Sequence, residues 1–211
     1  AKAEGEEVAI GGWRTLGVEK TEDAPWFAVR LNRRSAPWAY ARGQTFRTIA
    51  SLELLGALVG LMVLVPDDLL GPESVGTATF TCGTDNQGNL FLLDKLLTTK
   101  YPLGVILMEL ACQAGRKRGS FRARWIPRLQ NEEADALTNS EFHHFRLENR
   151  IEVDLGKLEF IVMNELFATG EEYLAELGSL KEGEKRKMTE EEKTPARKRP
   201  ASEALREKDP W

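Results

Sequence analysis

Polar and apolar residues alternate strictly in one stretch near the middle of the chain. Between Thr77 and Cys82 every second residue is a threonine, and the residues between them are apolar. This period of two predicts a strand with one apolar face. Short connections between three earlier strands favour an antiparallel meander. The other predicted strands cover residues 8–13, 26–31, 36–42 and 121–126.

Apolar stretches between these strands predict helices. The first runs from Thr45 to about Val65 and is closed by Pro66, which cannot continue a helix. Arg116, Lys117 and Arg118 precede Gly119, which is typical of a helix C-terminus. The remaining predicted helices cover residues 90–97 and 103–118 and a segment that opens at Asn131. The resulting order is β-β-β-α-β-α-α-β-α, an α/β fold.

Composition narrows the class of protein. With 211 residues and 42% hydrophobic content, the chain is long enough for one domain with appendages. The net charge of −4 does not indicate a protein that binds nucleic acid. The local distribution of charged residues is therefore more informative than the net charge. The apolar run over 54–65 is shorter than the ~20 residues that span a bilayer. Two cysteines without metal-ligand spacing predict reduced core thiols in an intracellular protein, cytoplasmic or nuclear.

Two carboxylates stand out by their position. Asp85 lies where the threonine-rich strand ends and a helix begins, which is where sites form in open α/β sheets. The alternative is that Asp85 only caps the helix. Glu53 lies on the first long helix, and its helical neighbours include no cation. It is either a partly exposed residue or a buried carboxylate that needs a metal or a cation.

A basic stretch leads into a third carboxylate. Residues 116–128 carry six basic side chains around Trp125 and no acidic one, a composition that fits a phosphate-backbone surface. The alternative is a set of helix-dipole partners beside a solvent-exposed edge strand. Asn131 and Asp135 follow, one helical turn apart on one face. The alternative is that these residues belong to the first turn of an ordinary amphipathic helix, where acidic side chains are favoured.

Taken in order, these features resemble the type 1 ribonuclease H family, in particular the domain found in retroelement reverse transcriptases. The resemblance rests on Glu53, the Thr84-Asp85-Asn86 strand end, and the segment 124–138, which reads RWIPRLQNEEADALT. It covers about residues 1–139. It implies a mixed five-stranded sheet flanked by helices. It also implies a partner domain, the reverse transcriptase, upstream in the same polyprotein.

The resemblance also implies a site. The family cleaves the RNA strand of RNA–DNA hybrids with two Mg²⁺ ions, for which Mn²⁺ can substitute, held by four carboxylates in the order Asp, Glu, Asp, Asp. The last three fall on Glu53, Asp85 and Asp135. The residues expected to contact nucleic acid are Asn86, Gln87, Arg122, Arg124, Arg128 and Asn131.

The chain departs from the family pattern in two places. The first aspartate is expected at or before Ala1, and residues 1–22 contain no aspartate. The chain begins without a methionine, so we expect its N-terminus to be a cut end. A histidine common in the loop before the last helix is missing from 128–130, and the only histidines are His143 and His144.

Beyond residue 139 the resemblance fades. An amphipathic pattern over 153–167 and a second one over 171–180 predict helices that pack on the domain or on a partner. These form a helical C-terminal extension, 140–180. Residues 181–211 are highly charged and poor in apolar side chains, so we expect a disordered tail. Its basic clusters at 185–187 and 197–199 predict nucleic-acid binding or nuclear import, or simply a solvated tail.

Three functions therefore stand beside one another. The first is a ribonuclease H-like endonuclease of a retroelement reverse transcriptase. The second is a decayed, inactive copy that only binds nucleic acid. The third is a structural or interaction module in which residues 151–180 bind a partner helix.

Overall fold

A computed structural model describes residues 1–40, 45–71, 73–98 and 100–167. Residues 1–167 cluster into one compact unit of mixed α/β structure. The helix predicted over 171–180 and the charged tail predicted over 181–211 lie outside the described residues.

A three-stranded antiparallel meander opens the fold. It consists of β1 (Lys2–Glu4), β2 (Glu7–Trp13) and β3 (Trp26–Leu31), in that order across the sheet. Gly5 has a φ of +56° in the turn between β1 and β2, a left-handed conformation that favours glycine. The strands predicted over 8–13 and 26–31 are thus confirmed.

The strand predicted over 36–42 is wrong over its described residues, 36–40. Residues Pro37–Tyr40 form a short helix, α1, after a turn in which the Asn32 side chain accepts hydrogen bonds from the backbone of Arg34 and Ser35. Proline suits the first position of a helix because its missing N–H needs no partner there. Tyr40 is buried, and its hydroxyl donates to the Leu31 carbonyl over 2.9 Å. The meander is completed instead by β1, a short strand that the sequence did not predict.

The long helix α2 (Ile49–Leu64) follows a 3-10 turn over Thr45–Thr48. Gly56 faces β2, where a Cβ added to it would make an ordinary van der Waals contact, 3.8 Å from the Cβ of Ile10. The leucines of α2 fill the core. The buried apolar residues of α2 are Leu52, Leu54, Leu55, Leu58, Val59, Leu61 and Leu64.

A βαβ unit forms the second sheet. Strands β4 (Ala78–Thr84) and β5 (Gly119–Trp125) pair in parallel and are joined through helices α3 (Gln87–Lys95) and α4 (Leu103–Arg116). The threonine-rich strand and the helix before the basic stretch are therefore confirmed. Among the described residues the strands pair as two sheets, one of three strands and one of two.

Helices α2 and α5 both pack against the first sheet. One helical stretch, Thr45–Leu64, has the length and apolar composition to cross a membrane. It packs against β2 and α4, which gives it the contacts of a core helix. The last helix, α5 (Glu132–Asn139), packs on β2 and β3. There the Cβ of Leu137 lies 3.1 Å from the position that a side chain on Gly11 would take.

The segment after α5 packs on the domain without forming the predicted long helix. Ile151 donates its backbone N–H to the Trp26 carbonyl over 2.7 Å, which holds the chain extended beside β3. Residues 155–157 form a 3-10 turn, and a helix begins only at Met163. The prediction of a helix over 153–162 is wrong: the segment forms only a 3-10 turn, and the backbone N–H groups of Ile161 and Val162 bond to the Glu109 carboxylate instead of to an earlier turn of a helix. Phe167 stacks on Trp38 with ring centroids 6.0 Å apart.

Candidate metal centre and nucleic-acid interface

The junction between β4 and α3 presents Asp85. The backbone of the next residue, Asn86, donates to the Thr84 hydroxyl over 3.1 Å. The Asn86 side chain then caps α3 by accepting from the backbone N–H groups of Gly88 and Asn89, at 2.9 and 3.2 Å. Asn86, and not Asp85, is therefore the cap. In the described part of the chain, no hydrogen bond or ion pair engages the Asp85 carboxylate.

Glu53 on α2 is close enough to Asp85 for the two carboxylates to repel each other. Burial raises the pKa of the Glu53 carboxyl, the ammonium group of Ala1 opposes that rise, and Asp85 adds to it. Hydrogen bonds from Asn86 and Asn89 lower the pKa again. Glu53 is therefore half-buried beside a second carboxylate, with the Ala1 ammonium group and the side chains of Asn86 and Asn89 stabilising its charge, so it combines the partial exposure of the first interpretation with the neighbouring carboxylate of the candidate site.

The third predicted carboxylate, Asp135, does not form one metal-binding group with Glu53 and Asp85 in the described part of the chain. It is half-buried on α5, and its backbone N–H donates to the Asn131 carbonyl over 3.2 Å. Within the described ranges, no group of three or more His, Cys, Asp or Glu side chains is placed to hold one metal ion. The fold thus brings Glu53 and Asp85 together and leaves Asp135 outside that pair.

Asn89 supports the pair and was not predicted. It is 2% exposed, and its side-chain NH₂ donates to the Ala50 carbonyl over 2.9 Å and to the Glu53 carboxylate over 3.2 Å. Its side-chain oxygen is buried without a hydrogen-bond partner. The available signal was a second asparagine one turn after Asn86, on the face of α3 that also carries the buried Leu92 and Leu93.

The donor chemistry of the pair fits a hard divalent cation. Carboxylate oxygens are the ligands that Mg²⁺ prefers, and one or two of them suffice because the ion keeps several waters. Glu53 is half-buried beside Asp85, so its charged form is the one that a bound cation would stabilise most. Cys82 is a poor ligand for such an ion because thiolate sulfur prefers softer metals, and burial and the charge of Glu53 raise the pKa of its thiol to about 11.

Removing the charge of Glu53 is expected to stabilise the metal-free fold at neutral pH. The pKa of Glu53 is raised in the folded chain, so its stabilising contribution is present below the ordinary value of 4.5 and is lost as pH rises through the folded pKa. Glu53→Gln stays neutral and should need more urea to unfold at neutral pH than the wild type, in metal chelator. Urea midpoints measured from acid to neutral pH check this, and a wild type that gains on the variant as pH rises would refute it.

Asn89→Ala is expected to weaken divalent-cation binding by about 10-fold or more, because losing a residue that orients a metal ligand costs about that much. Mn²⁺ titration followed by calorimetry measures the change. The matched control is Asn139→Ala at the exposed end of α5, which should bind Mn²⁺ as the wild type does. Equal affinities in the two variants would contradict a positioning role for Asn89.

The basic stretch divides into two groups in the fold. Lys117 is buried and bonds to the Val65 carbonyl over 2.7 Å and to the Asp67 carboxylate. Arg116 lies 3.8 Å from Asp67. These two cations connect α4 to the loop after α2. Their role is therefore to stabilise the fold rather than to contact nucleic acid.

The second group of arginines could contact a ligand. Arg122, Arg124 and Arg128 are exposed, and within the described ranges none of them forms an ion pair. Gln87 is exposed at the start of α3, and Asn131 is half-buried just before α5. The polar groups predicted to contact nucleic acid thus lie at the ends of β4 and β5 and on β5 itself.

Comparison with known proteins finds no matching family model, no matching curated protein and no matching solved structure.

Proposed function

We propose that this chain is a ribonuclease H-like domain of a retroelement reverse transcriptase that hydrolyses the RNA strand of RNA–DNA hybrids. The observation that carries the proposal is the half-buried Glu53–Asp85 pair at the carboxyl end of β4. Two adjacent half-buried carboxylates repel each other, and a bound divalent cation would relieve that repulsion. A divalent cation at such a site would stabilise the negative charge that develops when a phosphodiester is hydrolysed.

The element order supports the same proposal. Apart from the short helix α1 between β3 and α2, the order is strands β1 to β3, helix α2, strand β4, helices α3 and α4, strand β5 and helix α5, which is the order that the family resemblance implies. Helix α2 contacts both β1 and β4. A five-stranded sheet, with β1 beside β4, is therefore part of the proposal.

The site would work through hard oxygen ligands. Two bound Mg²⁺ ions, or Mn²⁺, stabilise the attacking and leaving oxygens of a phosphodiester together. Glu53 and Asp85 would hold one ion, and the family resemblance adds Asp135 as a ligand of the other, although the described residues do not bring the three carboxylates into one metal-binding group. The family resemblance places a fourth carboxylate at or before Ala1. Asn86 and Gln87 would donate to the substrate backbone or to a 2′-hydroxyl, the group that distinguishes RNA from DNA.

The partners follow from this role. Arg122, Arg124 and Arg128 would contact phosphates without sequence preference. A reverse-transcriptase domain upstream in the same polyprotein would deliver the hybrid. The protein would act inside the cell, in the cytoplasm or the nucleus, and not at a membrane.

The test is cleavage of a hybrid labelled on its RNA strand, in Mg²⁺ and in chelator. The chain is compared with a form extended upstream, because the family's first aspartate is expected there. RNA cleavage in the hybrid but not in single-stranded RNA, dependent on Mg²⁺, supports the proposal. Failure of the folded, extended form to cleave the hybrid contradicts it. The second candidate, a copy that binds without cleaving, is favoured by the three unpaired arginines and would then account for the chain.

A further inference from the structure

A cleft of about 300 Å³ lies at the C-terminal end of α2. Its walls come from four parts of the chain that are distant in sequence: the residue after β2, the residue before β3, the end of α2, and the extended segment after α5. The lining residues include Arg14, Pro25, Met62, Val65, Asp67 and Ile151. A volume of this order is typical of clefts that bind small molecules.

This cleft is separate from the candidate metal centre. Met62 follows Glu53 by nine residues on α2, which places it ~14 Å further along the helix axis. A small molecule in the cleft would therefore not contact the Glu53–Asp85 pair, and the two sites can be tested independently.

Arg14 supplies a positive charge to the cleft. It is half-buried, and its guanidinium donates one N–H to the Leu64 carbonyl over 2.8 Å. Its Nε–H is buried without a hydrogen-bond partner. No carboxylate in the described part of the chain forms an ion pair with Arg14. A partly buried guanidinium with an unused donor is a favourable partner for an anion.

The end of α2 compensates this charge only in part. A helix C-terminus is equivalent to about half a negative charge, and Lys117 also faces it by donating to the Val65 carbonyl over 2.7 Å. Asp67 lines the cleft, but its carboxylate pairs with Lys117 and lies 3.8 Å from Arg116. The two cations at the end of α4 therefore balance Asp67, and the cleft keeps a net positive charge from Arg14.

The other walls of the cleft are mainly apolar. Met62 and Val65 lie at the end of α2, and Pro25 and Ile151 lie across from them. The Ile151 backbone donates to the Trp26 carbonyl over 2.7 Å, which fixes that wall. One charged group among apolar side chains fits a ligand with a carboxylate and a short hydrocarbon chain. A phosphate group carries more charge and three acceptor oxygens, for which a single guanidinium is a poor match.

We propose that the cleft binds a small aliphatic monocarboxylate, with its carboxylate on the Arg14 guanidinium and its hydrocarbon chain against Met62, Val65 and Ile151. This site is additional to the proposed nuclease and does not depend on it.

The experiment is a titration of the ¹⁵N-labelled full chain with 4-methylpentanoate at neutral pH, followed by amide chemical shifts. The control ligand is 4-methylpentanamide, which has the same shape and no charge. The test variant is Arg14→Met, which keeps an apolar stem and removes the guanidinium. Arg34→Met removes an equal charge from an exposed turn and is the control variant. Met62→Trp, which narrows the cleft and keeps Arg14, is measured in parallel.

The acid should bind with a Kd of about 1 mM, a reasonable affinity for so small a ligand. The shifts should be largest at the backbone amides of Arg14, Ile151 and residues 62–65. Replacing the acid by the amide should weaken binding by about 10-fold or more, the effect typical of a hydrogen bond to a charged group. Arg14→Met and Met62→Trp should each cause a similar loss, whereas Arg34→Met should match the wild type.

Two results with the wild type would overturn the proposal: no saturable shift at these amides, or equal affinity for the acid and the amide. Neither result needs a variant, so the test stands even if Arg14→Met does not fold. Unchanged affinity in a folded Arg14→Met chain would also overturn it. Binding of the acid as expected in a chain that cleaves no hybrid would keep the cleft as a site and remove only the nuclease function.

Discussion

Glu109→Ala is expected to lower the free energy of unfolding by about 3–5 kcal/mol, the cost typical of removing one partner from a buried charged network. Glu109 lies on α4 and is 0% exposed. Its carboxylate accepts from the Gln113 side chain over 2.7 Å and from the backbone N–H groups of Ile161, Val162 and Met163 at 2.7 to 3.1 Å. The substitution would remove the acceptor of the backbone N–H groups of Ile161, Val162 and Met163, at about 1–3 kcal/mol for a donor that stays buried, whereas the Gln113 side chain keeps its bond to the Glu159 carbonyl.

Urea unfolding of the full chain measures this effect. Glu141→Ala is the matched control, because Glu141 is exposed, and an exposed substitution of this kind usually changes stability by less than ~0.5 kcal/mol. A loss below about 1 kcal/mol for Glu109→Ala would contradict the structure of this network. Amide exchange should also show that the backbone N–H groups of 161–163 lose protection first.

Asp85→Asn is expected to reduce hybrid cleavage by more than ~100-fold, beyond the loss typical of a residue that only orients a metal ligand. The exchange keeps the size of the side chain and removes the charge that a divalent cation needs. Because Asn86 caps α3, the fold should be unaffected. Asp94→Asn on the exposed side of α3 removes an equal charge and serves as the control.

The rate of RNA-strand cleavage at saturating Mg²⁺ checks this prediction. Folding of Asp85→Asn is verified by its urea midpoint, so a loss of activity cannot be confused with a loss of structure. Cleavage by Asp85→Asn at a rate similar to that of Asp94→Asn would remove Asp85 from the site.

Local patterns predicted the regular elements well. Alternating residues became β4, and the glycine-containing stretch 8–13 became most of β2, because one face of each strand meets the core. The predictions failed where contacts with residues distant in the sequence determine the backbone conformation. Residues 153–162 carry a helical pattern, but the Trp26 carbonyl holds their start extended, and Glu109 holds their end. A sequence pattern does not contain those partners.

The candidate site was predicted in the same uneven way. Asp85 was found because a strand end beside a helix start is visible in sequence, and Glu53 was found because its helix supplies no cation. Asn89 and Glu109 were missed, since a single polar residue on an apolar helix becomes informative only once its partners are known. Whether Asp135 joins Glu53 and Asp85 in one metal-binding group likewise depends on the packing of α5, and among the described residues it does not.

The most direct test of the Glu53–Asp85 pair as a divalent-cation site is Mn²⁺ titration of the ¹⁵N-labelled chain. Paramagnetic broadening should appear first at the backbone amides near Glu53 and Asp85 and should be reversed by excess Mg²⁺. It should be lost from both regions in Asp85→Asn. Broadening that leaves these amides unchanged, or that persists there in Asp85→Asn, would contradict a metal site at this pair and with it the proposed chemistry.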